Sequence, residues 1–192
     1  MNTSTPPSST LVRKPETVLK QVFGYSEFRD GQKAVIDAAI NGQDSLVLLP
    51  TGGGKSVCYQ IPALVLEGVT IVISPLISLM QDQVTQLQAL GVKAAYVNNS
   101  LAREEQQLVY QQLHQGQIKL LYVAPEKVLQ HEFLERLSHL NVSLFAIDEA
   151  HCVSHWGHDF RPHYFRLNEL KQRFAHVPMM ALTATADKAT RF

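Results

Sequence analysis

Ser45-Leu46-Val47-Leu48-Leu49-Pro50-Thr51-Gly52-Gly53-Gly54-Lys55-Ser56 is the stretch from which the fold can be read. An apolar run of strand length enters three successive glycines, then Lys-Ser, then a helix-like segment over Val57–Leu66. Glycines let backbone N–H groups converge on phosphate oxygens, and a helix N-terminus adds a positive dipole. Thr51, Gly52, Gly53 and Gly54 would form the cradle, Lys55 would reach the β and γ phosphates, and the Ser56 hydroxyl would ligate Mg²⁺. The run departs from the pattern G-x-x-x-x-G-K-[ST], because Leu49 stands where the first glycine belongs. A merely flexible turn accounts for the glycines but not for Lys-Ser at the head of a helix.

Further apolar runs lie outward from this stretch at Val69–Ser74, Ala94–Val97, Ile118–Val123, Val142–Asp148 and Met179–Thr183. Most are apolar at every position rather than at alternate ones, as in strands buried on both faces of a parallel sheet. Periodic segments separate them; Leu76–Leu90 is one, closed by Gly91 as a C-cap glycine would close it. The repeated strand–helix order predicts an α/β fold, a mostly parallel sheet flanked by helices on both faces.

Composition agrees with one such domain. The chain has 192 residues, 45% hydrophobic and 18% charged, enough to fill a core and too apolar for global disorder. Residues 1–14, rich in Ser, Thr and Pro at their start, are expected to be a disordered tail, and residues 15–192 the folded lobe. No run approaches 18 uninterrupted apolar residues, so no membrane partner is expected and the location expected is the cytoplasm. Cys58 and Cys152 cannot build a disulfide framework and suit a reducing compartment. Lys plus Arg and Asp plus Glu are 17 each, which removes any bulk attraction for nucleic acid. The charge is uneven, however: residues 151–192 carry 6 basic and 3 acidic side chains, and the basic surplus sits at that end.

The run Val142–Ile147 leads into Asp148-Glu149-Ala150-His151. A carboxylate at the tip of a buried strand, in the same sheet as a phosphate loop, is placed to hold Mg²⁺ through water. Asp148 is the metal-side candidate, and Glu149 the base that would orient and deprotonate the attacking water. Alone, the four residues would also suit a solvated helix start. Joined to the loop at Lys55 they indicate ATP hydrolysis.

With those residues in place, the chain from about Leu19 onward resembles the first RecA-like lobe of RecQ-family DNA helicases, members of superfamily 2. The loop Pro50-Thr51-Gly52-Gly53-Gly54-Lys55-Ser56 is similar to that superfamily's, where the leading glycine is absent. Phe23-Gly24-Tyr25-Ser26-Glu27-Phe28-Arg29-Asp30-Gly31-Gln32 resembles the family's adenine motif. The resemblance implies that Tyr25 and Arg29 sandwich the base and that Gln32 hydrogen-bonds its edge. Phe23 and Phe28 read as core. Ser74-Pro75-Leu76-Ile77-Ser78 and Tyr122-Val123-Ala124-Pro125-Glu126 resemble segments that touch the nucleic-acid backbone, with Ser74 and Ser78 the hydroxyl candidates. Both serines also suit ordinary turn and cap positions. Thr183 and Thr185 in Met180-Ala181-Leu182-Thr183-Ala184-Thr185-Ala186 match the threonines that join the acidic strand end to the DNA surface in such helicases.

His155-Trp156-Gly157-His158-Asp159-Phe160-Arg161-Pro162 resembles the aromatic-rich loop of RecQ helicases, departing from it at His155, where the family has Gln. Aromatic faces stack on any base of single-stranded DNA at roughly 1–3 kcal/mol each. His151, Trp156, His158, Phe160 and Arg161 are therefore the DNA-binding and coupling candidates. A zinc site is the competing reading, since His151 and His155 are four apart and Cys152 is adjacent. Gly157 and Pro162 break any long helix there, and no second Cys completes a tetrahedral set, so no zinc is expected.

The resemblance implies an ATP- and Mg²⁺-dependent 3′–5′ DNA helicase acting on single-stranded DNA and duplex junctions, with a second RecA-like lobe of the same enzyme as partner. On that reading the sequence stops inside the helix after Thr185, and the 192-residue chain alone binds nucleotide weakly and does not unwind. The alternatives are a non-hydrolysing module that binds ATP or a partner, and a DEAH-type RNA helicase lobe.

Overall fold

Six strands form where the apolar runs stand: β1 (Ser45–Leu49), β2 (Val69–Ile73), β3 (Ala94–Val97), β4 (Leu120–Val123), β5 (Val142–Ile147) and β6 (Met179–Ala184). In the computed structural model the described residues are 13–50, 54–148 and 161–184, with the side chains of 161–166 and 184 outside that description. The helices among them are α1 (Pro15–Phe23), α2 (Gln32–Ile40), α3 (Lys55–Val65), α4 (Ile77–Ala89), α5 (Arg103–His114), α6 (Pro125–Val128), α7 (His131–Ser138) and α8 (Arg161–Arg173).

The strands make one sheet in the order β1-β6-β5-β2-β4-β3, and every neighbouring pair is parallel. All C-terminal strand ends therefore share one edge. Register carries this through: Leu49 pairs with Ala184, Ala181 with Ile147, Ile147 with Ile73, and Ile73 with Val123.

Alternate residues of each strand serve opposite cores, as the two-residue period of a strand requires. On one face Ile71, Ile73, Leu121, Val123, Phe145 and Ile147 pack with Phe133 and Leu137 of α7, with Leu170 of α8 and with Phe174, which follows it. On the other, Val47, Val72, Tyr122, Ala146 and Leu182 pack with Cys58 and Tyr59 of α3 and with Met80 and Val84 of α4. A smaller cluster of Val18, Leu19, Ile36, Val57 and Ile61 joins α1 and α2 to α3, with Phe23 and Phe28 half-buried against it.

One expectation needs correction. The run Ser45–Leu49 reads as buried on both faces, yet Leu46 is 66% and Leu48 57% exposed. β1 ends the sheet, and the described helices cover only the face that carries Val47, which is 2% exposed. Ion pairs close the periphery: Lys33 reaches Glu16 at 2.8 Å and Asp37 at 3.2 Å, and Lys171 reaches Asp44 at 2.8 Å. Exposed pairs of this kind contribute about 0–1 kcal/mol each.

Candidate nucleotide site and nucleic-acid edge

The helix after the glycines begins at Lys55, two residues earlier than the sequence suggests, because Gly54 caps it in the left-handed region at φ 76°. A Cβ there would overlap Gln32 Nε2, so glycine is required on both conformational and steric grounds. No side chain caps α3. The first-turn N–H groups of a helix lack intrahelical partners, which makes a helix start of this kind a suitable place for an anion. Lys55 and Ser56 occupy the first two helical positions, both half-buried.

Gln32, only 3% exposed, connects this loop to the segment before it. Its Oε1 accepts the Arg29 backbone N–H at 2.8 Å, and its Nε2 donates to the Gly54 carbonyl at 3.0 Å. The same carbonyl accepts the Cys58 thiol at 3.8 Å. A primary amide has two N–H donors and two lone pairs, so each end of Gln32 keeps one hydrogen-bonding position beyond these. Tyr25, seven residues before Gln32, is 53% exposed, and Arg29 is also exposed. Burial pushes the Cys58 thiol up to about 11, so it stays an inert, neutral filler.

At the middle of the sheet edge, Asp148 follows directly on β5, is 4% exposed, and donates its backbone N–H to the Ile73 carbonyl at 2.9 Å. Next to it lies a buried polar chain to which the sequence reading assigned no role. The Tyr59 hydroxyl donates to Gln83 Oε1 at 2.9 Å and lies 3.0 Å from the Tyr122 hydroxyl, which accepts from Gln60 Nε2 at 3.3 Å. Tyr59 has one proton and spends it on Gln83, so Tyr122 must be the donor between the two phenols. Tyr122 is raised to about 12, chiefly by burial and to a lesser degree by the Asp148 charge, against the lowering effect of the Tyr59 and Gln60 hydrogen bonds. The chain ties α3, which carries Lys55, to α4 and to the tip of β4. The signal available in sequence was a Tyr inside an otherwise aliphatic strand, and a Tyr-Gln pair one turn past Lys55.

The remaining expected residues are distributed as follows. Ser74 is 1% exposed and its hydroxyl has no hydrogen-bond partner among the described residues, whereas Ser78, in the first turn of α4, is exposed. Thr183 is half-buried on β6, paired with Leu48, two residues beyond the Ala181–Ile147 pair. Arg161 opens α8 by its backbone, its side chain being outside the described residues. Thr51, Gly52, Gly53, Glu149, His151, Trp156, His158, Phe160 and Thr185 also lie outside them. The structure thus brings together Gln32, Gly54, Lys55 and Ser56 on one side, and places Asp148, Ser78 and Thr183 at other points of the same sheet edge. Among the described residues, no helix is long and apolar enough to cross a membrane.

Comparison with known proteins agrees with this arrangement. The family model for DEAD/DEAH box helicases matches residues 29–192. The chain is 58% identical over 185 residues to the ATP-dependent DNA helicase RecQ of Haemophilus influenzae, covering 95% of this chain and 30% of that protein. It is 62% identical over 174 residues to the ATP-dependent DNA helicase RecQ of Pasteurella multocida, covering 91% of this chain and 28% of that protein. The chain therefore spans under a third of the length of these relatives. In three dimensions it resembles the DUF1998 helicase MrfA bound to DNA, at TM-score 0.72 and 17% identity, over 95% of this chain and 28% of that one, a likeness of fold. Six parallel strands, the glycine-capped Lys55 helix, the buried Asp148 strand end and the match over residues 29–192 lead to one conclusion: the chain belongs to the DEAD/DEAH box helicase family, and within it carries the N-terminal lobe of the RecQ helicases.

Proposed function

We propose that the chain is the ATP-binding, DNA-coupling lobe of a RecQ-type 3′–5′ DNA helicase. The observation that carries this reading is Gln32, whose buried amide joins the Arg29 backbone to the Gly54 carbonyl and so fixes the candidate adenine segment against the phosphate loop. The residues present suit a Mg²⁺-bound nucleotide. Gly54, whose lack of a Cβ makes room for the Gln32 amide, leads in the left-handed conformation into the helix start at Lys55. A buried carboxylate, Asp148, ends β5, separated from β1 by β6 in the same sheet.

In this reading Lys55 holds the terminal phosphates, and Ser56 and Asp148 hold Mg²⁺. The nucleotide and its metal supply the scissile phosphoanhydride and the charge neutralisation that its cleavage needs. Tyr25 and Arg29 offer a ring and a guanidinium to the two faces of adenine, and the unused positions of Gln32 read its edge. Glu149 takes the proton of the attacking water. Ser78, Thr183, Thr185 and the segment from His151 to Arg161 meet the DNA, and the second lobe of the longer enzyme closes over the nucleotide.

The test compares ATP hydrolysis with single-stranded DNA, with single-stranded RNA and without nucleic acid, alongside Mg²⁺-dependent binding of a fluorescent ATP analogue. Stimulation by DNA over RNA, with analogue binding removed by Lys55→Ala, is the expected result. Stimulation by RNA alone would favour an RNA helicase lobe. Analogue binding with no hydrolysis under any condition, in the longer protein as well, would favour a binding module.

A further inference from the structure

Most exposed cations for which the structure shows a partner on the lobe's flanks are neutralised by a carboxylate: Lys33 by Glu16 and Asp37, Lys171 by Asp44, and Arg173 by Glu135. Around one hollow the arrangement differs. A space of about 180 Å³ between α5 and the α6–α7 segment is lined by Arg103, Lys127 and Arg136, with Glu132 as its one carboxylate. Among the described residues, none of these three cations has an ion pair within 4 Å. Arg136 is held instead by stacking, its guanidinium carbon 4.1 Å from the centroid of the Tyr110 ring. Stacking occupies the face of a guanidinium and leaves its five N–H donors, which lie in the plane, free for a planar or tetrahedral oxyanion. Phe133, 2% exposed, forms an apolar floor, and the amides of Gln106 and Gln130 complete the lining.

Position supplies the second argument. Lys127 lies two residues past Pro125, so the hollow continues directly from the Tyr122–Glu126 segment at the tip of β4. Arg103 opens α5, the helix that follows β3, the strand beside β4. β2, β4 and β3 are successive in the sheet, and neighbouring strands stand about 4.8 Å apart. The strand tips after β2 and β3 are thus two spacings apart along one edge, on the order of 10 Å. Helix α4, which carries Ser78, packs on one face of the sheet and α5 and α7 on the other, so a strand would reach the hollow by passing over the tip of β4.

We propose that this hollow is an additional phosphate-binding site for a nucleic-acid strand, with Arg103, Lys127 and Arg136 as its donors, extending the strand's path past the tip of β4. The inference rests on the DNA-binding reading given above. Its ligand is the sugar–phosphate backbone, so it adds affinity without base preference.

Arg103→Gln/Lys127→Gln tests it, read as anisotropy of a labelled oligothymidylate across a potassium chloride series. The control is Arg13→Gln/Lys14→Gln, which removes the same charge at the start of α1. Single-stranded binding loses about 0.7 from the log–log salt slope per cation released from a phosphate. The hollow variant should therefore bind more weakly, with a slope shallower by about 1.4, while the control keeps the parent slope. An unchanged melting temperature verifies that the variant is folded. A hollow variant that behaves like the control overturns the proposal and leaves the DNA-binding reading standing. An unsubstituted chain with no salt-dependent DNA binding overturns both.

Discussion

Among the described residues, an edge-on aromatic pair stands on each face of the sheet, and these two pairs do different work. Phe145 of β5 meets Phe174, which follows α8, at 5.4 Å and 61°, with no polar atom in the contact. Tyr59 of α3 meets Tyr122 of β4 at 6.2 Å and 68°, and both hydroxyls are committed to Gln83, Gln60 and each other. The first face is a plain apolar core. The second buries a hydrogen-bonded chain next to Asp148, on the helix that starts with Lys55. A buried polar network is costly when half satisfied and rigid when complete. Its place beside Asp148, on the helix that carries Lys55, indicates that it contributes orientation of α3 to the proposed nucleotide site rather than raw stability.

The comparison can be broken first on the apolar side. Phe145→Ala should cost about 3–5 kcal/mol in urea unfolding, the usual range for emptying a buried aromatic site. Nucleotide affinity, corrected for the folded fraction, should stay unchanged; a large drop in corrected affinity would erase the division of labour.

On the polar side the expected loss is smaller and depends on pH. Tyr122→Phe keeps the ring but leaves the Tyr59 hydroxyl and Gln60 amide short of a partner, costing about 1–3 kcal/mol. In the parent protein, Tyr122 is raised from 10.0 to about 12 and Cys58 from 9.0 to about 11. Both are neutral when protonated, so their stabilising effect is whole below the lower value of each pair. It is lost as pH rises from 9 to 11 for Cys58 and from 10 to 12 for Tyr122, about 2–3 kcal/mol apiece. Unfolding measured at pH 8 and pH 11.5 should show Tyr122→Phe losing less between the two than the parent does.

Gly54→Ala should have the smallest effect on stability, about 1–2 kcal/mol for an alanine forced into the left-handed region. Its effect on the site should be disproportionate, because the new methyl displaces Gln32 and so uncouples Arg29 from the loop. Titration with a fluorescent ATP analogue checks this; affinity equal to the parent's would show that Gln32 is not needed to position the site.

Much of this was legible beforehand, for identifiable reasons. Strands β1 and β3 occupy the residues read from the apolar runs, and the others differ by one or two at an end. Burial on both faces removes the alternation but leaves length and β-branching as signals. The start of α3 was misplaced because Gly54 lends its left-handed conformation to the cap, which composition cannot show. Leu46 and Leu48 were misjudged because an edge strand and a central strand carry the same apolar letters.

Local chemistry along the chain was enough for the α/β class, the phosphate loop and the acidic strand end, since each depends on residues adjacent in sequence: glycines before Lys55, aliphatics before Asp148. Contacts across the chain needed the folded sheet. Gln32 and Gly54 are 22 residues apart, Tyr59 and Tyr122 are 63, and no local period links them. Only the parallel register, which brings every strand tip to one edge, gives these groups their partners, and leaves Arg103, Lys127 and Arg136 around a hollow with Glu132 as its one carboxylate.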